Sequence, residues 1–95
     1  MKNKKHLRII IQGRVQGIGF RFSAVSYAKK LGLAGTVCNQ NDGSVLIEVE
    51  GDQDSLETFV AWCHQGPRLA KIKQVEVFEN KIQNYSDFEI INCNS

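Results

Sequence analysis

Two segments of this chain, 21–31 and 54–65, repeat their apolar residues every three to four positions, and between them the repeat drops to two. That alternation of periods constrains the fold more than any other feature. Residues 7–15 are rich in β-branched side chains and alternate weakly, which predicts a strand covered on at least one face. Phe22, Val25 and Ala28, with Ala24 and Leu31 beside them, then mark a helix face that Gly32 ends. Thr36–Asn39 and Ser44–Glu50 flank Asn41-Asp42-Gly43, the chemistry of a hairpin turn. In the second of these strands Val45, Ile47 and Val49 face one way and Ser44, Glu48 and Glu50 the other. Gly51-Asp52 is expected to break the strand, and Asp54 to cap a helix with Leu56, Phe59, Val60 and Cys63 on its inner face. Gly66-Pro67 stops that helix; Lys71–Glu79 reads as a fourth strand and Phe88–Ile91 as a short fifth. Helices separated by a hairpin predict an α+β split βαβ sandwich, with two helices on one face of a mainly antiparallel sheet.

At 95 residues the chain is expected to be a single domain over 1–95, with residues 1–6 as a flexible basic tail. The longest apolar run is Phe59–Cys63, far short of the ~20 residues that span a bilayer. The apolar segment behind the basic start is only Ile9-Ile10-Ile11, too short for a secretory signal, so a cytoplasmic location is expected. Cys38, Cys63 and Cys93 lack metal-ligand spacing, and three buried thiols are expected; His6 and His64 read as isolated surface residues. The net charge of +2 hides an asymmetry. Residues 1–41 carry eight Lys or Arg and no acid, whereas residues 42–95 carry ten acids and four bases. An anionic partner follows from that imbalance, and the first part can supply no carboxylate for acid–base chemistry.

One segment is not explained by packing: Gly13-Arg14-Val15-Gln16-Gly17-Ile18-Gly19-Phe20-Arg21. It joins a strand to a helix N-terminus, where backbone N–H groups lack intrahelical partners. Gly17 and Gly19 let the backbone curl so that these groups converge on an anion. Arg21 sits at the electrostatically unfavourable end of its helix, by ~0.3–1 kcal/mol, which marks it as a site candidate. A tight turn beside a solvated Arg is the plain alternative. The phosphate-loop pattern G-x-x-x-x-G-K-[ST] fails at Ile18, and the dinucleotide pattern G-x-G-x-x-G meets Phe22 where its third Gly belongs. The match to an RNA-recognition aromatic strand is confined to two Gly and one Phe, and it falls before the first helix rather than on the third strand.

The whole segment closely resembles the signature G-R-V-Q-G-V-x-F-R of the acylphosphatase family. Gly35-Thr36-Val37-Cys38-Asn39-Gln40-Asn41-Asp42-Gly43-Ser44-Val45 resembles the family's second signature, G-x-V-x-N-x-x-x-G-x-V, and Gly66-Pro67 resembles its junction before the fourth strand. The resemblance covers about residues 6–92. It implies a ferredoxin-like fold and metal-independent, cofactor-free hydrolysis of acyl phosphates to a carboxylate and inorganic phosphate. By motif position it makes Arg21 the phosphate-binding Arg and Asn39 the residue that orients water. Val15, Gln16, Gly17, Ile18, Gly19 and Phe20 supply backbone amides to the phosphate. The implied partner is a small acyl phosphate, with phosphate as product or inhibitor and neither nucleic acid nor membrane, acting on a monomer.

The chain departs from the pattern at Thr36, where many members carry an aromatic, and at Cys38, where many carry a base. Neither change touches Arg21 or Asn39. Cys38 could instead pair with Cys93, which would make a site at Asn39 sensitive to oxidants. Trp62, a quarter turn off its helix's apolar face, is expected to pack at the helix edge, and strand alternation leaves the direction of Arg14 open. The competing class is a non-catalytic ferredoxin-like module that binds RNA or a regulatory anion.

Overall fold

A computed structural model describes residues 3–93. The order is β1 (Lys4–Arg14), α1 (Phe20–Lys30), β2 (Ala34–Asn39), β3 (Val45–Asp52), α2 (Gln53–Gln65), β4 (Lys71–Asn80) and β5 (Phe88–Ile90). The strands form one sheet in the order β4-β1-β3-β2-β5, antiparallel throughout except for the parallel β2–β5 pair. Both helices pack on the face that presents Ile9, Ile11, Val37, Val45, Ile47 and Val49, all buried. Phe20, Ala24 and Ala28 of α1 and Leu56, Phe59 and Cys63 of α2 close the core from above. This is the α+β split βαβ sandwich expected from the periodicities, and the ferredoxin-like fold that the resemblance implies. No helix among the described residues is long and apolar enough to cross a membrane.

Four local expectations are corrected. Phe22 is 70% exposed, and the inner face of α1 is Phe20, Ala24 and Ala28. Gly19, in the left-handed conformation at φ 80°, starts the helix one residue earlier than the apolar spacing implies. Phe20 then turns inward, and Phe22, about 200° further round, turns out. The helix α2 starts at Gln53 behind Asp52, not behind Asp54, because the pairs Lys4↔Asp52 and Lys5↔Gly51 carry β3 past the expected break. Residues 1–2 lie outside the described region, but Lys4–His6, expected in a flexible tail, belong to β1.

His6, expected on the surface, is buried between two carboxylates. Its Nδ1 lies 2.8 Å from Glu50 Oε2 and its Nε2 lies 2.5 Å from Glu48 Oε1. Arg8 Nε donates to the other oxygen of Glu48 at 2.7 Å. Glu50 also accepts the backbone N–H groups of Gln83 and, at 3.1 Å, Tyr85. The face of β3 opposite the helices is therefore not open to water at Glu50, which is 1% exposed, because the segment between β4 and β5 hangs on that carboxylate. Burial pushes the Glu50 carboxyl up, but the Gln83 N–H, His6 and the Tyr85 N–H outweigh it and hold the group below its ordinary value.

Candidate active site

The site begins where β1 ends. Gly13, at φ 133°, takes up a register shift against β4, and a Cβ there would stand 2.1 Å from the Lys71 carbonyl oxygen. Beyond it Val15 and Phe20 are buried, so the intervening loop is pinned at both ends by apolar side chains. Phe20 packs against Trp62 in a tilted pair at a centroid distance of 5.4 Å, and Trp62 also stacks with Tyr27 and Phe59, which makes it the helix-edge packing residue its position implies. Gly17 and Gly19 have φ of 77° and 80°, with open space where a Cβ would stand. Their conformation, rather than crowding, demands glycine. The first backbone bond of α1 runs from Ser23 N–H to the Gly19 carbonyl, 3.1 Å. No backbone N–H from Gln16 to Phe22 makes a well-formed hydrogen bond among the described residues. Groups this weakly engaged can turn to an anion at little cost.

Arg21, in the first turn of α1, is partly buried and has no carboxylate within ion-pair distance among the described residues. Its positive charge is therefore not cancelled locally. Asn39 is the last residue of β2 and pairs with Val45 of β3. Its side-chain Oδ1 is buried and has no hydrogen-bond partner among the described residues. A buried acceptor left unpaired costs roughly 1–3 kcal/mol, so such an atom is well suited to a ligand or a water that arrives with one.

Arg21 and Asn39 share a cavity of about 560 Å³ with Gln16, Gln40, Asn41, Ile91, Asn92 and Cys93. Of the loop residues singled out in the sequence, Gln16 and Arg21 line this cavity. Val15 and Phe20 are turned into the core, Ile18 is half-buried, and Gly17 and Gly19 are exposed in the turn. Arg14 is exposed and does not line the cavity. The Gln16 side chain reaches across to the β2–β3 turn, its Nε2 donating to the Gln40 carbonyl at 2.8 Å and the Ser44 carbonyl at 2.9 Å. The turn it grips is closed by the Gln40 N–H on the Ser44 carbonyl and by the Ser44 N–H on Asp42 Oδ1, both near 2.9 Å. The Ser44 hydroxyl first, and then its N–H, hold the Asp42 carboxyl below its ordinary value.

Ile91, Asn92 and Cys93 form a wall of the cavity for which the only sign in the sequence is the possible pairing of Cys93 with Cys38. The expectation of three separate thiols is corrected in favour of the alternative pairing: Cys38 and Cys93 form a disulfide with Cα atoms 5.4 Å apart. Cys63 remains free and fully buried, and burial pushes its thiol well above the usual range.

Comparison with known proteins places this geometry. The family model described as Acylphosphatase matches residues 7–90. An acylphosphatase from Nocardioides sp. is 45% identical over 82 residues, spanning 86% of this chain and 83% of that protein. The structure of an acylphosphatase from Coxiella burnetii superposes with a TM-score of 0.91 at 32% identity, covering 94% of both chains. That of the Bacillus subtilis acylphosphatase gives 0.88 at 38% identity, covering 90% of this chain and 97% of the other.

Proposed function

The chain belongs to the acylphosphatase family and has acylphosphatase activity, and from this premise we propose that Arg21 and Asn39 are its catalytic pair. The phosphoryl group of a small acyl phosphate sits against the backbone amides of Val15, Gln16, Gly17, Ile18, Gly19 and Phe20. Arg21 gives its oxygens paired donors, a geometry that lysine's point charge does not reproduce. Asn39 Oδ1 accepts a hydrogen bond from the attacking water and so orients it in line with the bond that breaks. The carboxylate leaves readily, so no general acid is required, and the substrate's own phosphate oxygens take up the water's proton. What the protein supplies is position and charge for a phosphoryl group in transfer. Inorganic phosphate, the product, occupies the same amides. In this reading the chain acts as a cytoplasmic monomer, one domain over 1–95, without metal, cofactor, nucleic acid or membrane.

The observation that carries the reading is that Asn39, whose buried Oδ1 has no partner among the described residues, lines the same cavity as Arg21, which has no ion-pair partner among them. The test is phosphate release from benzoyl phosphate and from a phosphate monoester, each with excess chelator. Release from the acyl phosphate alone is expected. Arg21→Ala lowers the rate by at least ~10²-fold, the usual loss for one preorganised donor. Asn39→Ala lowers turnover while leaving inhibition by phosphate in place, and full turnover in that variant removes the water-orienting role. No release from either compound, with salt-dependent RNA binding instead, selects the non-catalytic module.

A further inference from the structure

The cavity has two kinds of wall. Gln16 and Arg21 come from the β1–α1 loop and the start of α1, while Ile91, Asn92 and Cys93 come from the far end of the chain. The second wall is attached along β2. The parallel ladder runs through Gly35↔Phe88, Thr36↔Glu89 and Val37↔Ile90, and the Ile91 N–H then reaches the Val37 carbonyl at 3.0 Å. Beyond that bond the attachment is covalent: Cys93 is joined to Cys38, the residue immediately before Asn39. Along a strand, neighbouring side chains point to opposite faces, so the bridge grips β2 from the face opposite the Asn39 side chain. Asn39 is thus held between β3, through its pair with Val45, and a segment fixed to its neighbour across 55 residues of sequence.

We propose that the Cys38–Cys93 bridge is a positioning element of the catalytic site, and that its reduction by a dithiol lowers turnover reversibly. This rests on the assignment of Asn39 made above. The Asn39 Oδ1 has no partner among the described residues to aim it, so its direction follows from the backbone at the end of β2 and from the walls around it. Releasing Cys93 frees one of those walls and unfastens the residue before Asn39. The phosphate loop, built from residues 15–21, has no part in the bridge and keeps its grip on phosphate.

Access to the sulfurs supports the same reading. Cys93 and Cys38 both line a second cavity of about 600 Å³, which also takes in His6, Thr36, Glu48 and Tyr85. Cys38 is 3% exposed, whereas Cys93 is half-buried, so Cys93 is the sulfur open to attack from that side. One thiolate of the reductant bonds to the Cys93 sulfur and breaks the bridge, leaving the Cys38 thiol. The reductant's second thiol then displaces Cys93, closing a disulfide within the reductant. Two electrons pass to the protein, and two protons finish on Cys38 and Cys93. The third cysteine, Cys63, is fully buried in the core and takes no part.

The experiment compares the air-oxidised protein with the same protein after dithiothreitol, followed by reoxidation. Alkylation under native conditions should add no label to the oxidised form and two to the reduced form. On reduction, kcat for benzoyl phosphate should fall measurably but by less than the ~10²-fold that a 1 Å misplacement of a catalytic group can cost, because Asn39 is loosened and not removed. The inhibition constant of inorganic phosphate should not move, and reoxidation should restore kcat. Cys93→Ser should show the lower kcat from the outset and no response to dithiothreitol. An unchanged kcat despite two new labels overturns the proposal, as does a protein that never forms the bridge. A matching loss of phosphate inhibition also overturns it, since that reports general loosening. If neither redox form hydrolyses benzoyl phosphate, the assignment of the site fails first and the proposal with it.

Discussion

The Gln16 side chain is joined to Gln40 across 24 residues of sequence, its Nε2 donating to the Gln40 carbonyl at 2.8 Å. Through this bond, and its twin to Ser44, the loop that carries Arg21 is strutted against the turn that follows Asn39. Both carbonyls keep a backbone donor without Gln16: Gly43 N–H on Gln40 and Gln40 N–H on Ser44. Gln16→Ala should therefore cost only about 1 kcal/mol of stability, the net worth of such bonds. Its kcat should fall by about tenfold or more, because the two halves of the site lose their common register. Paired measurements of kcat and urea unfolding check this, and a large stability loss with normal kcat assigns the strut to folding alone.

Arg21→Lys keeps the charge and loses the planar fork. If paired donors are what the transferring phosphoryl group needs, the lysine variant should lie close to Arg21→Ala, about 10²-fold or more below the parent. Steady-state kcat/KM of the two variants decides between fork and charge. A lysine variant near wild type would mean that charge alone suffices.

Two glycines of the same segment should fail differently. At Gly13 an added Cβ meets the Lys71 carbonyl oxygen at 2.1 Å on top of a positive φ, so Gly13→Ala should destabilise the fold by about 3 kcal/mol or more. At Gly17 nothing lies within 4 Å, and Gly17→Ala should cost only the left-handed conformation, about 1–2 kcal/mol. Its larger effect should be on phosphate inhibition, since the backbone amides it redirects belong to the anion loop. Thermal unfolding and phosphate inhibition of the two variants separate the cases.

Glu50 makes the fold acid-labile. Its carboxyl is lower in the folded protein than its ordinary 4.5, so it contributes stability that is fully present above that value. The contribution is lost as pH falls through the lower folded value. Glu50→Gln should be less stable than the parent at pH 6, and the gap should narrow below about pH 4. Urea midpoints at both pH values test this, and a gap that stays constant with pH would show that the ionised form is not what His6, Gln83 and Tyr85 hold.

The element order and the sheet-plus-helices class were legible because each segment repeats its apolar residues with the period of its own geometry. The loop at Gly13–Arg21 stood out because its glycines serve no core. What escaped depends on distance or phase. The two partners of His6 are 42 and 44 residues away, so a lone histidine in a basic leader carried no sign of burial. Phe22 has the right spacing for an inner face, but the Gly19 turn sets the phase of α1 and sends it outward. The Cys38–Cys93 pairing was open as an alternative to three thiols, but the parallel docking of β5 on β2 that brings the two together was not, since three residues of strand announce no partner.

The strand order β4-β1-β3-β2-β5 leaves β2–β3 as the one pair joined by a hairpin, and the other three are closed across long stretches of chain. Non-local closures of this kind come late and slowly in folding. The last of them in sequence, β5 on β2, brings Ile91–Cys93 to the cavity. A chain emerging from the ribosome thus possesses Arg21, Asn39 and the anion loop long before it possesses a finished pocket. Completion of the pocket is thereby tied to the pairing of β5 with β2, a contact between segments about fifty residues apart.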